Sequence, residues 1–107
     1  MTLPTDSKAR KDIPLARGLL DCFPDALAAV ARLSQVANEK HNPGEPLHWS
    51  REKSSDHLDC VMRHLKDHAM QDMSDGPPLL GAGWRVLAAL QLEIERLRSE
   101  KHGTAKE

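Results

Sequence analysis

Glu39 and the tetrad Asp56-His57-Leu58-Asp59 are the acids best placed to do chemistry, because each lies at the edge of an apolar-periodic stretch and one unusual loop separates them. Two antiparallel helices joined by that loop would bring these carboxylates together. A hard divalent cation such as Mg²⁺ takes carboxylate oxygens, keeps several waters and grips phosphates. Glu39, Asp56 and Asp59 are therefore the candidate metal ligands and catalytic residues. Each also has a purely structural reading: Asp56 as a partner for the positive end of a helix, Asp59 as a solvated flank residue, Glu39 as a charge in a fraying last turn.

Basic, amide and aromatic groups crowd the same neighbourhood. Residues 40–53, KHNPGEPLHWSREK, contain two prolines, a glycine and two histidines, the chemistry of a shaped loop. Loops of this length are often functional. Lys40, Arg63 and His64 suit the neutralisation of phosphate oxygens, with His41 beside them, and Asn38 or Asn42 suits a purine edge. Trp49 suits stacking on a base, or pinning the loop to the core. A zinc site from His57, His64 and Cys60 is the weaker reading, since only His64 and His68 have a close pair's spacing, on a helix already explained by packing. The chain carries no phosphate-loop, dinucleotide-loop or nucleophile-elbow motif. If it is an enzyme, the expected attacking group is a metal-activated water.

The elements that must position these groups are helices. Apolar residues recur at threes and fours and no run alternates, so the fold class is all-α. Residues 1–12 are polar and expected to be loosely held, and Pro14 with Leu15, Leu19 and Leu20 suggests one brief helix. Pro24 and Asp25 open a helix whose apolar side is Leu27, Val30, Leu33 and Ala37, running to Asn38 or Glu39, with Asp25, Arg32, Gln35 and Glu39 on its other side. Ser54 or Ser55 is expected to cap the next helix, with Asp56 in its first turn and Leu58, Val61, Met62, Leu65 and Ala69 on its apolar side, ending near Met70. QDMSDGPP, residues 71–78, is turn chemistry, and a last helix is predicted from Leu79 to Arg98, its start weakened by Gly81 and Gly83. Its apolar residues Trp84, Val86, Leu87, Leu90, Leu92, Ile94 and Leu97 project onto more than one side. Residues 1–107 thus read as a single domain, a small bundle of three to four helices completed by oligomerisation, with 1–12 and 99–107 flexible.

Fifteen Lys and Arg against sixteen Asp and Glu give a net charge of −1, which disfavours duplex nucleic acid as a partner. No stretch reaches the ~20 consecutive apolar residues of a membrane span. The N-terminus lacks the apolar segment of a signal peptide, so the expected location is cytoplasmic. Cys22 and Cys60 lack CxxC spacing and read as isolated thiols.

Residues 10–68, from RKDIPLARGLLDCFPDALAAVARLSQVANEKHNPGEPLHW to SREKSSDHLDCVMRHLKDH, closely resemble phage dATP/dGTP diphosphohydrolases, and WRVLAALQLEIE continues the likeness. The loop motif KHNPGEPLHW is its most specific part. The resemblance places the chain among the MazG-like all-α nucleotide pyrophosphohydrolases. It implies a helical homodimer or homotetramer that uses Mg²⁺ or Mn²⁺ to cleave purine deoxynucleoside triphosphates between the α- and β-phosphates. The acidic signature of that superfamily is EExxE on one helix and ExxD on the next. The second maps onto Asp56-His57-Leu58-Asp59, while of the first only Glu39 remains an acid, with Gln35 and Asn38 where further carboxylates are expected. Some relatives carry histidines just before the final helix, where this sequence has Pro77, Pro78 and Gly81. The alternative is a non-catalytic helical module that binds nucleotide or a protein through the loop, its depleted acidic helix having lost the metal.

Overall fold

Proline sets the start of the two longest helices. In the computed structural model, which describes the backbone of residues 3–106 and the side chains of residues 3–100, α2 begins at Pro24 and α4 at Pro78. A first-turn position suits proline because its missing N–H would have no intrahelical acceptor there. In chain order the elements are α1 (Ser7–Lys11), a π-type turn (Ala16–Leu20), α2 (Pro24–His41), a 3₁₀ turn (Arg51–Lys53), α3 (His57–Ala69) and α4 (Pro78–Lys106). The fold is all-α, and among the described residues no strand forms. Asp6 caps α1 by accepting from the Ala9 amide at 2.9 Å.

Three boundaries differ from the sequence expectation. α2 runs on to His41, where Lys40 and His41 complement the negative end of the helix. α3 starts at His57 without a serine cap, because the Ser54 hydroxyl donates to the Asp56 carboxylate at 2.8 Å instead of accepting a helix N–H. The polar stretch expected to fray beyond Arg98 instead continues α4 to Lys106, supported on its surface by Arg96 between Glu93 and Glu100. Between α3 and α4 the chain reverses through Gln71 (φ 56°) and Gly76 (φ 84°), and Asp72 accepts from the amide and hydroxyl of Ser74 at 3.0 and 2.6 Å.

α4 is the central strut. α3 packs antiparallel along it, His57 reaching Arg85 and His64 reaching Gly81, while α2 packs on another flank. α2 and α3 do not pack on each other. The seam is built from small residues: the buried apolar side chains among the described residues are Cys60, Ala82 and Ala88, and no large side chain is fully enclosed. The chain exposes 8712 Å², whereas a folded monomer of 11.9 kDa exposes roughly 6,000 Å².

Many large apolar side chains contribute to that exposure. Leu79, Val86, Leu90 and Leu97 of α4, spaced seven, four and seven apart, fall within a sector of about 40° at 100° per residue, and each is about half exposed. On α3 the stripe Leu58, Met62 and Leu65 is exposed as well. Leu58 borders a groove that Ala89 and Leu92 of α4 also line, on a different side of α4 from that stripe.

Candidate functional site

A cleft of about 930 Å³ opens between the end of α2, the loop that follows it, the inner face of α3 and the start of α4. The loop keeps its shape through polar ties. Asn38 is buried, and its amide donates to the Glu45 carbonyl at 2.9 Å. The Asn42 amide donates to Asn38 at 3.4 Å, and Lys53 Nζ donates to Asn42 at 3.0 Å. The Arg51 guanidinium pairs with Glu95 of α4 at 2.5 Å and lies 4.4 Å from the centre of the Trp49 ring. These contacts hold Trp49 edge-on to Trp84 and His57, with ring centroids 6.0 and 6.3 Å away. Trp84 is itself fixed by donating to the Ser34 hydroxyl at 3.0 Å. Trp49 therefore pins the loop, as one of its two sequence readings had it, and also forms a wall of the cleft.

His57 and Arg85 line a cationic part of the cleft, whose lining also includes the acids Asp67, Asp72 and Asp75. Arg85 Nη1 donates to Ser54 Oγ at 2.7 Å and lies 3.1 Å from His57 Nδ1, which must accept because a guanidinium has only donors. The His57 proton consequently sits on Nε2, which is buried and has no partner among the described residues. Burial, and then repulsion by Arg85, hold the His57 pKa below the ordinary 6.5, with Asp56 opposing more weakly. Unfolded, His57 takes its proton as pH falls through that ordinary value, while the folded state resists. Its contribution to stability is thus complete above about pH 6.5 and is lost as pH falls toward the depressed folded value. In metal-free protein, Tm is expected to fall on acidification below neutrality, and less steeply in His57→Asn. Equal slopes in the two proteins would contradict the assignment.

A smaller groove of about 300 Å³ shares His57 with the cleft and is lined by Asp56, Asp59, Leu58, Ala89, Leu92, Glu93 and Arg96. The Ser54 hydroxyl is the main cause holding the Asp56 carboxyl below the usual range, with Arg63 adding to it from 3.5 Å. Glu93 is held low by Arg96. Among the described residues no three His, Cys, Asp or Glu side chains converge as a metal-binding group. Of the three acids expected to hold a metal, Asp56 and Asp59 are the two that line this groove. Two carboxylates suit Mg²⁺, which is commonly bound through one or two carboxylates plus substrate phosphates and waters, and they do not suit a closed all-protein cage.

The structure corrects one expectation directly. Glu39 does not meet Asp56 and Asp59 within one chain, because α4 is the helix on which both α2 and α3 pack. Its carboxylate is exposed, accepts from Gln35 at 3.0 Å and lines neither cavity. Asn38, His41, Asn42, Trp49 and His64 all line the cleft, although the Asn38 amide is engaged in shaping the loop. Lys40 is exposed and lines neither cavity, and Arg63 flanks the acids, donating to Cys60 Sγ at 3.0 Å. The zinc trio does not form. Arg85, Lys53, Ser54, His57 and Trp84 line the cleft without having stood among the predicted site residues. A cation directly after a tryptophan in an otherwise apolar helix is the signal that marks Arg85. Compared with known proteins, the chain matches no family model, no curated protein and no solved structure.

Proposed function

We propose that this protein is a metal-dependent nucleoside triphosphate pyrophosphohydrolase that converts purine deoxynucleoside triphosphates to monophosphate and pyrophosphate. One observation carries the reading: an aromatic cleft with cations at one end adjoins, through His57, a groove bearing two carboxylates. The family resemblance of the loop and of the Asp56–Asp59 tetrad supplies the reaction.

The purine stacks against Trp49 in this reading, and the triphosphate extends along the cleft toward Lys53 and Arg85. Arg85 has N–H groups beyond the one that meets Ser54 and His57, so it can bind phosphate oxygens without surrendering its fixed position. Asp56 and Asp59 would hold the divalent cation, Mg²⁺ or Mn²⁺. When bound, that cation supplies Lewis acidity at the phosphates and lowers the pKa of a coordinated water. A carboxylate oxygen left free takes the proton of the attacking water, the α–β phosphoanhydride bond breaks, and pyrophosphate leaves. Ser54 and Arg63 keep Asp56 ionised for this task. Lys40 and Arg63 stand outside the cleft and contribute at longer range.

The assembly is a homo-oligomer in the same reading. A second copy covers the apolar stripe of α4, since the excess exposed area is what a subunit of a stable assembly would bury. Glu39 joins the acids only if a second copy contributes it.

Trp49 and Trp84 are the chain's two tryptophans and both line the cleft, so intrinsic fluorescence reports on it alone. Titration with dGTP or dATP in Mg²⁺ is expected to change that fluorescence saturably. No change with either nucleotide would remove the cleft from the account. Tight binding that ignores the metal and leads to no turnover would favour the non-catalytic nucleotide-binding module.

A further inference from the structure

Gly81 stands in the first turn of α4, where alanine would be the better helix former. Its backbone does not demand glycine, for the positive-φ glycines are Gly44 and Gly76. What it does is leave space. A Cβ at this position would lie 2.7 Å from Nε2 and 2.8 Å from Cε1 of His64, closer than such atoms approach in folded proteins. The His64 imidazole therefore rests against bare backbone of α4, in a slot that any other residue would fill. His64 is half-buried and lines the cleft, and its ring makes no hydrogen bond to a described residue. The Nε2 edge of the ring faces Gly81, so Nδ1, which has no hydrogen-bond partner among the described residues, is the nitrogen this seating leaves for a ligand.

His64 lies eight residues beyond Asp56 on α3, about 12 Å along the helix axis. A nucleotide with its phosphates at the acids would carry its base toward this end of the cleft. We infer that Gly81 is a positioning residue that holds His64 as a preset hydrogen-bonding contact for the purine base. This rests on the pyrophosphohydrolase reading and adds a base-reading group to it.

The test compares the wild type with Gly81→Ala, His64→Ala and the double variant, using Tm and the Kd values for dGTP and for inorganic tripolyphosphate, which has no base. Gly81→Ala is expected to lower Tm and to weaken dGTP about fivefold, the worth of one hydrogen bond. His64→Ala should weaken dGTP to the same extent. In the double variant Tm should recover to at least the wild-type value, because the clash is gone and alanine favours the helix, while the dGTP Kd stays where His64→Ala left it. Tripolyphosphate should bind all four proteins equally. A wild-type dGTP Kd in His64→Ala would overturn the contact, and further weakening by Gly81→Ala in the His64→Ala background would overturn the positioning role. Loss of tripolyphosphate binding would move His64 to the phosphates. Absence of turnover by the wild type would sink the enzymatic reading and leave the dGTP series to decide this one.

Discussion

Asp59→Asn is expected to cut pyrophosphate release from dGTP and dATP about a hundredfold or more, because even groups that only support a metal ligand cost ten- to a hundredfold when removed. The amide keeps the shape of the side chain and removes its charge. Asp59 is exposed in the first turn of α3, so the stability lost is that of a surface acid near a helix N-terminus, about 0.3–1 kcal/mol. Activity and Tm should therefore separate widely, with kcat collapsing and the fold persisting. Asp56→Asn makes a useful contrast, since Asp56 also accepts from Ser54, which in turn holds Arg85. Normal turnover by Asp59→Asn would take that residue out of the metal set.

Leu90→Glu should dissociate the assembly. Leu90 sits between Val86 and Leu97 in the α4 stripe, half exposed in the single chain. Against a second copy its replacement would be an unpaired buried carboxylate, which costs about 3–5 kcal/mol, or roughly two to four powers of ten in dissociation constant. Sedimentation is expected to find the wild type as a dimer or larger and Leu90→Glu as a monomer with lowered Tm, because the small-residue seam of Cys60, Ala82 and Ala88 gives one chain little core of its own. A wild type that sediments as a monomer at micromolar concentration would contradict this, as would a variant that assembles normally.

Features set by neighbouring residues were legible in the sequence. Pro24 and the recurrence of Leu27, Val30 and Leu33 place α2, and Asp72, Ser74 and Gly76 announce the reversal before α4. The two prolines, glycine and histidines after Lys40 mark a shaped loop, and the surplus of leucine on the last helix marks an uncovered face. Features set by the path of the chain in space were not. A connection of fifteen residues between α2 and α3 does not oblige those helices to touch, so the meeting of Glu39 with Asp56 was an assumption about topology, and α4 takes the place that α3 would have needed. Arg85 reads as one more polar position on a helix until the antiparallel packing of α3 turns it toward His57 and Ser54. Gly81 reads as a weak helix start until His64 is seen against it. Asn38 reads as a ligand group, yet its amide spans seven residues to hold the loop at Glu45.

Product identification tests the central claim most directly. The wild-type protein is incubated with dGTP or dATP and Mg²⁺ or Mn²⁺, and the products are separated. One deoxynucleoside monophosphate and one pyrophosphate per triphosphate consumed, with no product when the metal is chelated, is the predicted result. Orthophosphate in place of pyrophosphate, or triphosphate left intact under every metal, would contradict it.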